Sequence, residues 1–258
     1  MCRLAAYLGP DLLLHKLLQE KPNSLFKQSW ASEELSGTTL NADGFGFGWY
    51  LSDGKAAIYT STQPIWSDSN LTGLGQSLQS NLWLAYVRSA TPGQATNQAN
   101  TQPFKHEQYL FQHNGRIKDF NAGPRARLHQ HLSAEIASEI EGNTDSEYLF
   151  ALCKQQLRNG CSVPEALKRS CDELNSLLEG TAALVNIIIS DGESLFICRH
   201  ALNEDACPSL YYTNSHPHFP GAVLIASERF SMNEYWQEVN PHSLLSVNLR
   251  GEIIFQSL

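Results

Sequence analysis

Ala182-Ala183-Leu184-Val185-Asn186-Ile187-Ile188-Ile189-Ser190-Asp191-Gly192-Glu193-Ser194-Leu195-Phe196-Ile197-Cys198-Arg199 consists of two short runs rich in Leu, Val and Ile, separated by an Asp-Gly pair. Asp-Gly suits the positive φ angles of a tight hairpin turn, so 182–189 and 194–199 read as paired antiparallel strands. Downstream, 211–213 and 222–226 read as further strands, and 244–255 as a last hairpin around Arg250-Gly251. Upstream the pattern changes. Residues 126–140, 144–158 and 164–178 carry helical apolar spacing and are closed by Gly142, Gly160 and Gly180. Ahead of them, 47–51 and 56–61 form a hairpin across Ser52-Asp53-Gly54-Lys55, and 82–87 and 109–112 are strands. Hairpins at both ends with helices between them imply an α+β fold of two mainly antiparallel sheets with helices covering their faces. No repeat or linker divides 2–258, which is expected to be a single domain.

The chain has 258 residues, 42% of them hydrophobic, enough for a substantial core. Its net charge of −8 with only 18 Lys+Arg gives no basic stripe, which argues against a nucleic-acid partner. The Leu-rich segment 12–18 is too short and too interrupted for a signal or a membrane span, so no membrane partner and a cytoplasmic location are expected. Six cysteines, Cys2, Cys153, Cys161, Cys171, Cys198 and Cys207, form no C-x-x-C pair, and the last five read as reduced core or helix residues. His216-Pro217-His218 has no carboxylate or cysteine at ligand spacing, and no metal is expected.

Cys2 stands out by position, because a small side chain after the initiator Met favours removal of that Met. Removal leaves a thiol beside an α-amine with a reference pKa of about 7.7–8.0, able to take the thiol proton near neutral pH. One residue then supplies nucleophile and base; the plainer reading is that any residue can follow Met1. An attacked amide carbonyl also needs fixed donors where negative charge develops. His113-Asn114-Gly115 follows an apolar strand and offers the Asn114 amide and the Gly115 N–H, although Asn-Gly is also a common turn. His113 itself reads more naturally as a packed, hydrogen-bonded residue than as an acid or base. Arg88 ends a strand and opens the loop Ser89-Ala90-Thr91-Pro92-Gly93, where a guanidinium can grip a carboxylate or simply lie in solvent. Asp145, in Thr144-Asp145-Ser146-Glu147, fits both a ligand role and a capping box with Thr144 as cap. The glycines of 41–50 lack the lysine and spacing of a phosphate loop, and are expected to let the chain pass close to another backbone or to the N-terminal residue.

Taken in order, Met1-Cys2-Arg3, Asn41-Ala42-Asp43-Gly44-Phe45-Gly46, Arg88-Ser89-Ala90-Thr91, Asn100-Thr101-Gln102-Pro103-Phe104, His113-Asn114-Gly115 and Thr144-Asp145-Ser146-Glu147 resemble the class II, N-terminal-cysteine glutamine amidotransferases. The likeness runs the length of the chain and includes a late Ala226-Ser227-Glu228 turn. Within the family it is similar to the stand-alone branch that contains the ergothioneine-pathway amidohydrolase acting on γ-glutamyl-hercynylcysteine sulfoxide. The resemblance implies a four-layer αββα sandwich, no cofactor and a small γ-glutamyl substrate. It implies Cys2, Asn114 and Gly115 as catalytic residues, and Arg88, Thr91, His113 and Asp145 as substrate-binding ones. Ser89 and Pro92-Gly93 stand where synthase-fused relatives carry Trp and His, and Gln102 where many stand-alone relatives carry His, so substrate choice is where a difference is expected. A synthase partner, a homo-oligomer, an acylase for other amides and a non-catalytic subunit that retains the fold are the alternatives. With no segment left for an acceptor domain, hydrolysis of a larger γ-glutamyl conjugate is expected ahead of free glutamine.

Overall fold

A computed structural model describes residues 2–34, 40–90, 94–231 and 235–258. In chain order its strands and α-helices are β1 (Arg3–Leu13), α1 (Leu14–Leu18), α2 (Leu25–Gln28), β2 (Phe45–Tyr50), β3 (Ala56–Ser61), α3 (Leu71–Ser77), β4 (Gln79–Val87), β5 (Phe104–His106), β6 (Tyr109–Ile117), α4 (Pro124–His131), α5 (Ala134–Ser138), α6 (Asp145–Arg158), α7 (Val163–Leu178), β7 (Ala183–Ser190), β8 (Ser194–Leu202), β9 (Tyr211–Thr213), β10 (Val223–Ala226), β11 (Gln237–Glu238), β12 (Ser243–Asn248) and β13 (Ile253–Ser257). Every pairing is antiparallel. One sheet runs β11-β9-β10-β1-β4-β2-β3 and the other β13-β12-β8-β7-β6-β5.

Alternation along the strands explains the layering. On β4, Trp83, Ala85 and Val87 join a core with Leu14, Leu17 and Leu71 of α1 and α3, whereas Leu82, Leu84 and Tyr86 point the other way. On β6, Phe111 and Ile117 meet Leu149 and Leu174 of α6 and α7, whereas Leu110 faces the opposite sheet. Leu84, Ile188, Ile197 and Leu245 therefore meet in a layer between the sheets. Burial of such side chains contributes about 1.5–3 kcal/mol each, which holds the sheets face to face. The result is helices, sheet, sheet and helices: an αββα sandwich of the α+β class.

The hairpins at 47–61, 182–199 and 244–255 form as expected. Three expectations change. The helix expected over 126–140 is broken, because Leu132 turns extended and the Ser133 side chain accepts the Ile136 N–H to start α5 afresh. His113-Asn114-Gly115 does not follow a strand but lies within one, since β6 pairs with β7 through Ile117↔Ala183. Thr144 does cap α6, accepting the Glu147 N–H (3.3 Å), but the Glu147 carboxylate accepts from Glu141 N–H (2.7 Å) and Gly142 N–H (2.8 Å), not from its cap. Only half of the capping box is built, and its other half ties down the loop ahead of the helix.

Candidate active site

Cys2 immediately precedes β1 and packs against the layer between the sheets. Arg3 pairs with Val87, so Cys2 lies beside the end of β4. There the Ser89 N–H donates to Cys2 Sγ (3.3 Å) and the thiol donates to the Ser89 carbonyl (3.3 Å). A second set of contacts holds the start of β1 from the helix side. Arg3 Nη1 donates to the Cys2 carbonyl (2.9 Å) and Nε to the buried Glu228 carboxylate (2.8 Å). Glu228 also accepts from Asn23, Ser32 and the Glu33 N–H. Burial alone would raise the Glu228 carboxyl, but these hydrogen bonds and the Arg3 charge outweigh it and leave its pKa below the ordinary value.

β6 supplies the second half. β5 covers its outer edge only as far as Phe111, and beyond that point the odd-numbered residues aim their N–H groups at an edge with no strand. His113 N–H is taken by Gln102 Oε1 (2.5 Å) and Ile117 N–H by Asp145 Oδ2 (2.8 Å). Gly115, between them, shares their direction, and its N–H meets no acceptor among the described residues. A Cβ at Gly115 would sit 1.9 Å from the Leu184 carbonyl oxygen and 2.5 Å from His113 Nε2, so close packing of β6 is what demands glycine here. Asn114 faces the other way, into the layer between the sheets. It is 2% exposed, its side-chain amide makes no hydrogen bond to the described protein, and its oxygen is one of the buried acceptors without a donor. Gln112 and Asn186, near it on β6 and β7, carry two more such oxygens.

His113, expected among the substrate-binding residues, is fully buried with both ring nitrogens engaged. Nε2 meets the Leu184 carbonyl (3.1 Å), so Nδ1 accepts from Ser146 Oγ (2.8 Å). Burial lowers its pKa, against the pull of Asp145 and the Leu184 bond. Both ring nitrogens are thus engaged within the fold, as expected of a packed, hydrogen-bonded residue. Arg88 is neither solvated nor paired with a carboxylate of the described residues. It is 3% exposed, and its guanidinium donates to the carbonyls of Asp43 (3.4 Å) and Ala95 (3.2 Å). Thr91 lies outside the described residues. Asp145 opens α6, accepts from Ile117 and Ser146 N–H groups, and lines a cavity of about 520 Å³ with Gln94, Arg116, Lys118 and Glu204.

Several residues that shape the site went unread in the sequence. Asp43 accepts the N–H of Ala90 (2.8 Å), in the loop after Arg88. Asn100 holds Ala95 and Asn143, joining that loop to the start of α6. Tyr86 donates to the His113 carbonyl (3.1 Å) and Gln112 to the Ala5 carbonyl (3.1 Å), each crossing between the sheets. Asp43, Asn100 and Glu228 lie in motifs already noticed, and Tyr86 shares the inward face of Leu82 and Leu84, where a polar tip needs a partner. The glycines of 41–50 do pass close to other backbone: a Cβ at Gly46 would lie 2.4 Å from the Gln102 carbonyl oxygen.

The family model for class II glutamine amidotransferases matches residues 24–257. The chain belongs to that family. A γ-glutamyl-hercynylcysteine sulfoxide hydrolase of Mycolicibacterium smegmatis is 28% identical over 247 residues, covering 96% of each chain. A probable glutamine amidotransferase of Saccharomyces cerevisiae is 27% identical over 243 residues, covering 83% of this chain and 68% of that one. Among solved structures, a class II glutamine amidotransferase domain protein from Silicibacter pomeroyi superposes with a TM-score of 0.72 at 24% identity, covering 99% of this chain and 98% of that one. A class II amidotransferase is an N-terminal-nucleophile enzyme acting on amides. Among the described residues no helix is long and apolar enough to cross a membrane, and no three metal-binding side chains gather. His216, in the His-Pro-His segment, packs against Phe219 and Trp236, and burial foremost lowers its pKa to about 4.

Proposed function

We propose that removal of Met1 makes Cys2 the N-terminal residue, and that the chain hydrolyses a γ-glutamyl amide through a glutamyl thioester on Cys2. The α-amine takes the thiol proton as sulfur attacks the γ-carbonyl. Asn114 and Gly115 N–H donate to the oxyanion. Collapse breaks the C–N bond, and the amine leaves with the proton from the α-ammonium. Water, deprotonated by the α-amine, then attacks the thioester, releasing glutamate and restoring the thiol. The observation that carries this reading is the pair of uncommitted donors on β6, next along the strand from the His113 carbonyl that Tyr86, a neighbour of the thiol, reaches. Every neighbouring N–H on that edge of β6 is taken, while the Gly115 N–H and the buried Asn114 amide are left for a ligand. Asp145, on the cavity wall, is assigned to the substrate α-amine, and Arg88 and Thr91 to its carboxylate side.

The substrate proposed is a γ-glutamyl conjugate with a larger leaving group than ammonia, such as γ-glutamyl-hercynylcysteine sulfoxide. The Mycolicibacterium smegmatis hydrolase supports it by its name and by a match that covers 96% of each chain. Contacts to a large leaving group can raise kcat as well as lower KM. The test compares kcat/KM for that conjugate, for simple γ-glutamyl peptides and for glutamine, with Cys2→Ala as the blank. The conjugate is expected to lead and the blank to be inert. Preference for free glutamine, rising when a partner synthase is added, would make the chain an ammonia-supplying glutaminase instead.

A further inference from the structure

Cys2 belongs to the sheet containing β1 and β4, whereas Asn114 and Gly115 belong to the sheet containing β6 and β7. The spacing between nucleophile and oxyanion donors is therefore a spacing between two sheets. Apolar packing is non-directional and by itself leaves their exact offset free. Tyr86 opposes that freedom. It comes from β4 two residues before Arg88, its hydroxyl adjoins the Cys2 thiol, and it donates to the carbonyl of His113 on β6 (3.1 Å). That carbonyl belongs to the peptide unit whose nitrogen is Asn114. Gln102 grips the same residue, donating from Nε2 to the His113 carbonyl (3.1 Å) and accepting its N–H at Oε1 (2.5 Å). The Gln102 amide thus fills the place a neighbouring strand would take, and both lone pairs of the His113 carbonyl are used. Tyr86 is 3% exposed, and burial foremost pushes its phenol well above the ordinary value, so it stays a neutral donor.

We infer that Tyr86 is a positioning residue that sets the distance between Cys2 and the Asn114–Gly115 donors, working through a His113 peptide that Gln102 holds still. This rests on the amidohydrolase reading. The experiment measures kcat, KM and Tm of Tyr86→Phe, Gln102→Leu and the double variant, with Tyr50→Phe as control. Tyr50 also crosses the sheets, reaching the carbonyls of Gln108 (2.8 Å) and Ser190 (3.0 Å), but away from the thiol. Tyr86→Phe is expected to lower kcat by about 10- to 100-fold with KM within about twofold, the scale of a small misplacement of reacting groups. Gln102→Leu should act alike, and the double variant should lose less than the product of the single losses, because both hold one carbonyl. Tyr50→Phe should lower Tm and leave kcat unchanged. An unaltered kcat in Tyr86→Phe, a loss confined to KM, or multiplicative losses would overturn the inference. If Tyr86→Phe fails to fold, Gln102→Leu with unaltered kcat overturns it as well. A wild-type chain without amidase activity would overturn the proposed function and this inference together, whereas full kcat in Tyr86→Phe removes only the inference.

Discussion

The layer between the two sheets has two ends, each crossed by a tyrosine. At one, Tyr50 reaches two carbonyls, and the layer beside it holds Leu82, Leu110 and Leu195. Burial foremost pushes the Tyr50 phenol far above its ordinary value, and it serves only as a donor. At the other, Tyr86 reaches one carbonyl and adjoins a thiol, and Gln112, Asn114 and Asn186 keep buried oxygens without donors. An unpaired buried polar atom costs about 1–3 kcal/mol, so a chain that satisfies one end and not the other is giving up stability at the end where the proposed chemistry lies. Within this layer, the unpaired oxygens of Gln112, Asn114 and Asn186 gather at the end that holds Cys2.

Two changes would sharpen or break that contrast, the larger first. Glu228 supports the start of β1 from outside the layer, so Glu228→Gln should behave as a structural lesion. Neutralising a buried carboxylate that pairs with Arg3 is expected to cost about 3–5 kcal/mol, read from urea unfolding at pH 7. Because the folded pKa of Glu228 lies below the unfolded value of about 4.3, the native state binds fewer protons between the two values, and stability there rises with pH. Its contribution is complete above about pH 4.3 and is lost as pH falls through the folded value, a part of the acid sensitivity that the variant should lack. Equal stability of the two proteins at pH 7 would show that the Arg3–Glu228 pair does not hold the N-terminal strand. Asn114→Ala should do the reverse. It removes an amide with no partner in the fold, so Tm should hold or rise while kcat falls by about 10²- to 10³-fold, roughly 2.7–4 kcal/mol, with KM little changed. A large loss of stability with kcat intact would place Asn114 in the scaffold.

The hairpin around Asp191-Gly192 was readable because its turn residues and its Leu, Val and Ile runs agree. β1 was not, because Gly9-Pro10 looks like a break. The strand absorbs it in a shift of register between Leu8 and Leu12, the kind of irregularity where a strand tolerates proline. β6 was cut short for a similar reason, since Asn114-Gly115 has turn propensity. In the fold, Gln102 and Asp145 occupy the flanking N–H groups and keep the pair extended. Of the proposed site, Cys2, Asn114, Gly115, Arg88 and Asp145 could be put forward from residue type and order. The roles of Tyr86, Gln102 and Glu228 could not, although Gln102 and Glu228 lie in motifs that were noticed, because each depends on a partner that only the fold brings close. The surroundings of Arg88 were likewise invisible: two carbonyl acceptors in separate loops leave no trace in local sequence.

The central claim is that Cys2, freed of Met1, is the nucleophile. The direct measurement is intact-mass and peptide mapping after reaction with a glutamine-mimicking electrophile, with the α-amine of the labelled peptide scored as free or blocked. A single label on a Cys2 that carries a free α-amine, abolished by prior addition of a γ-glutamyl substrate, is the expected result. A label on Cys161 or Cys207, or full turnover by a chain that keeps Met1, would contradict it.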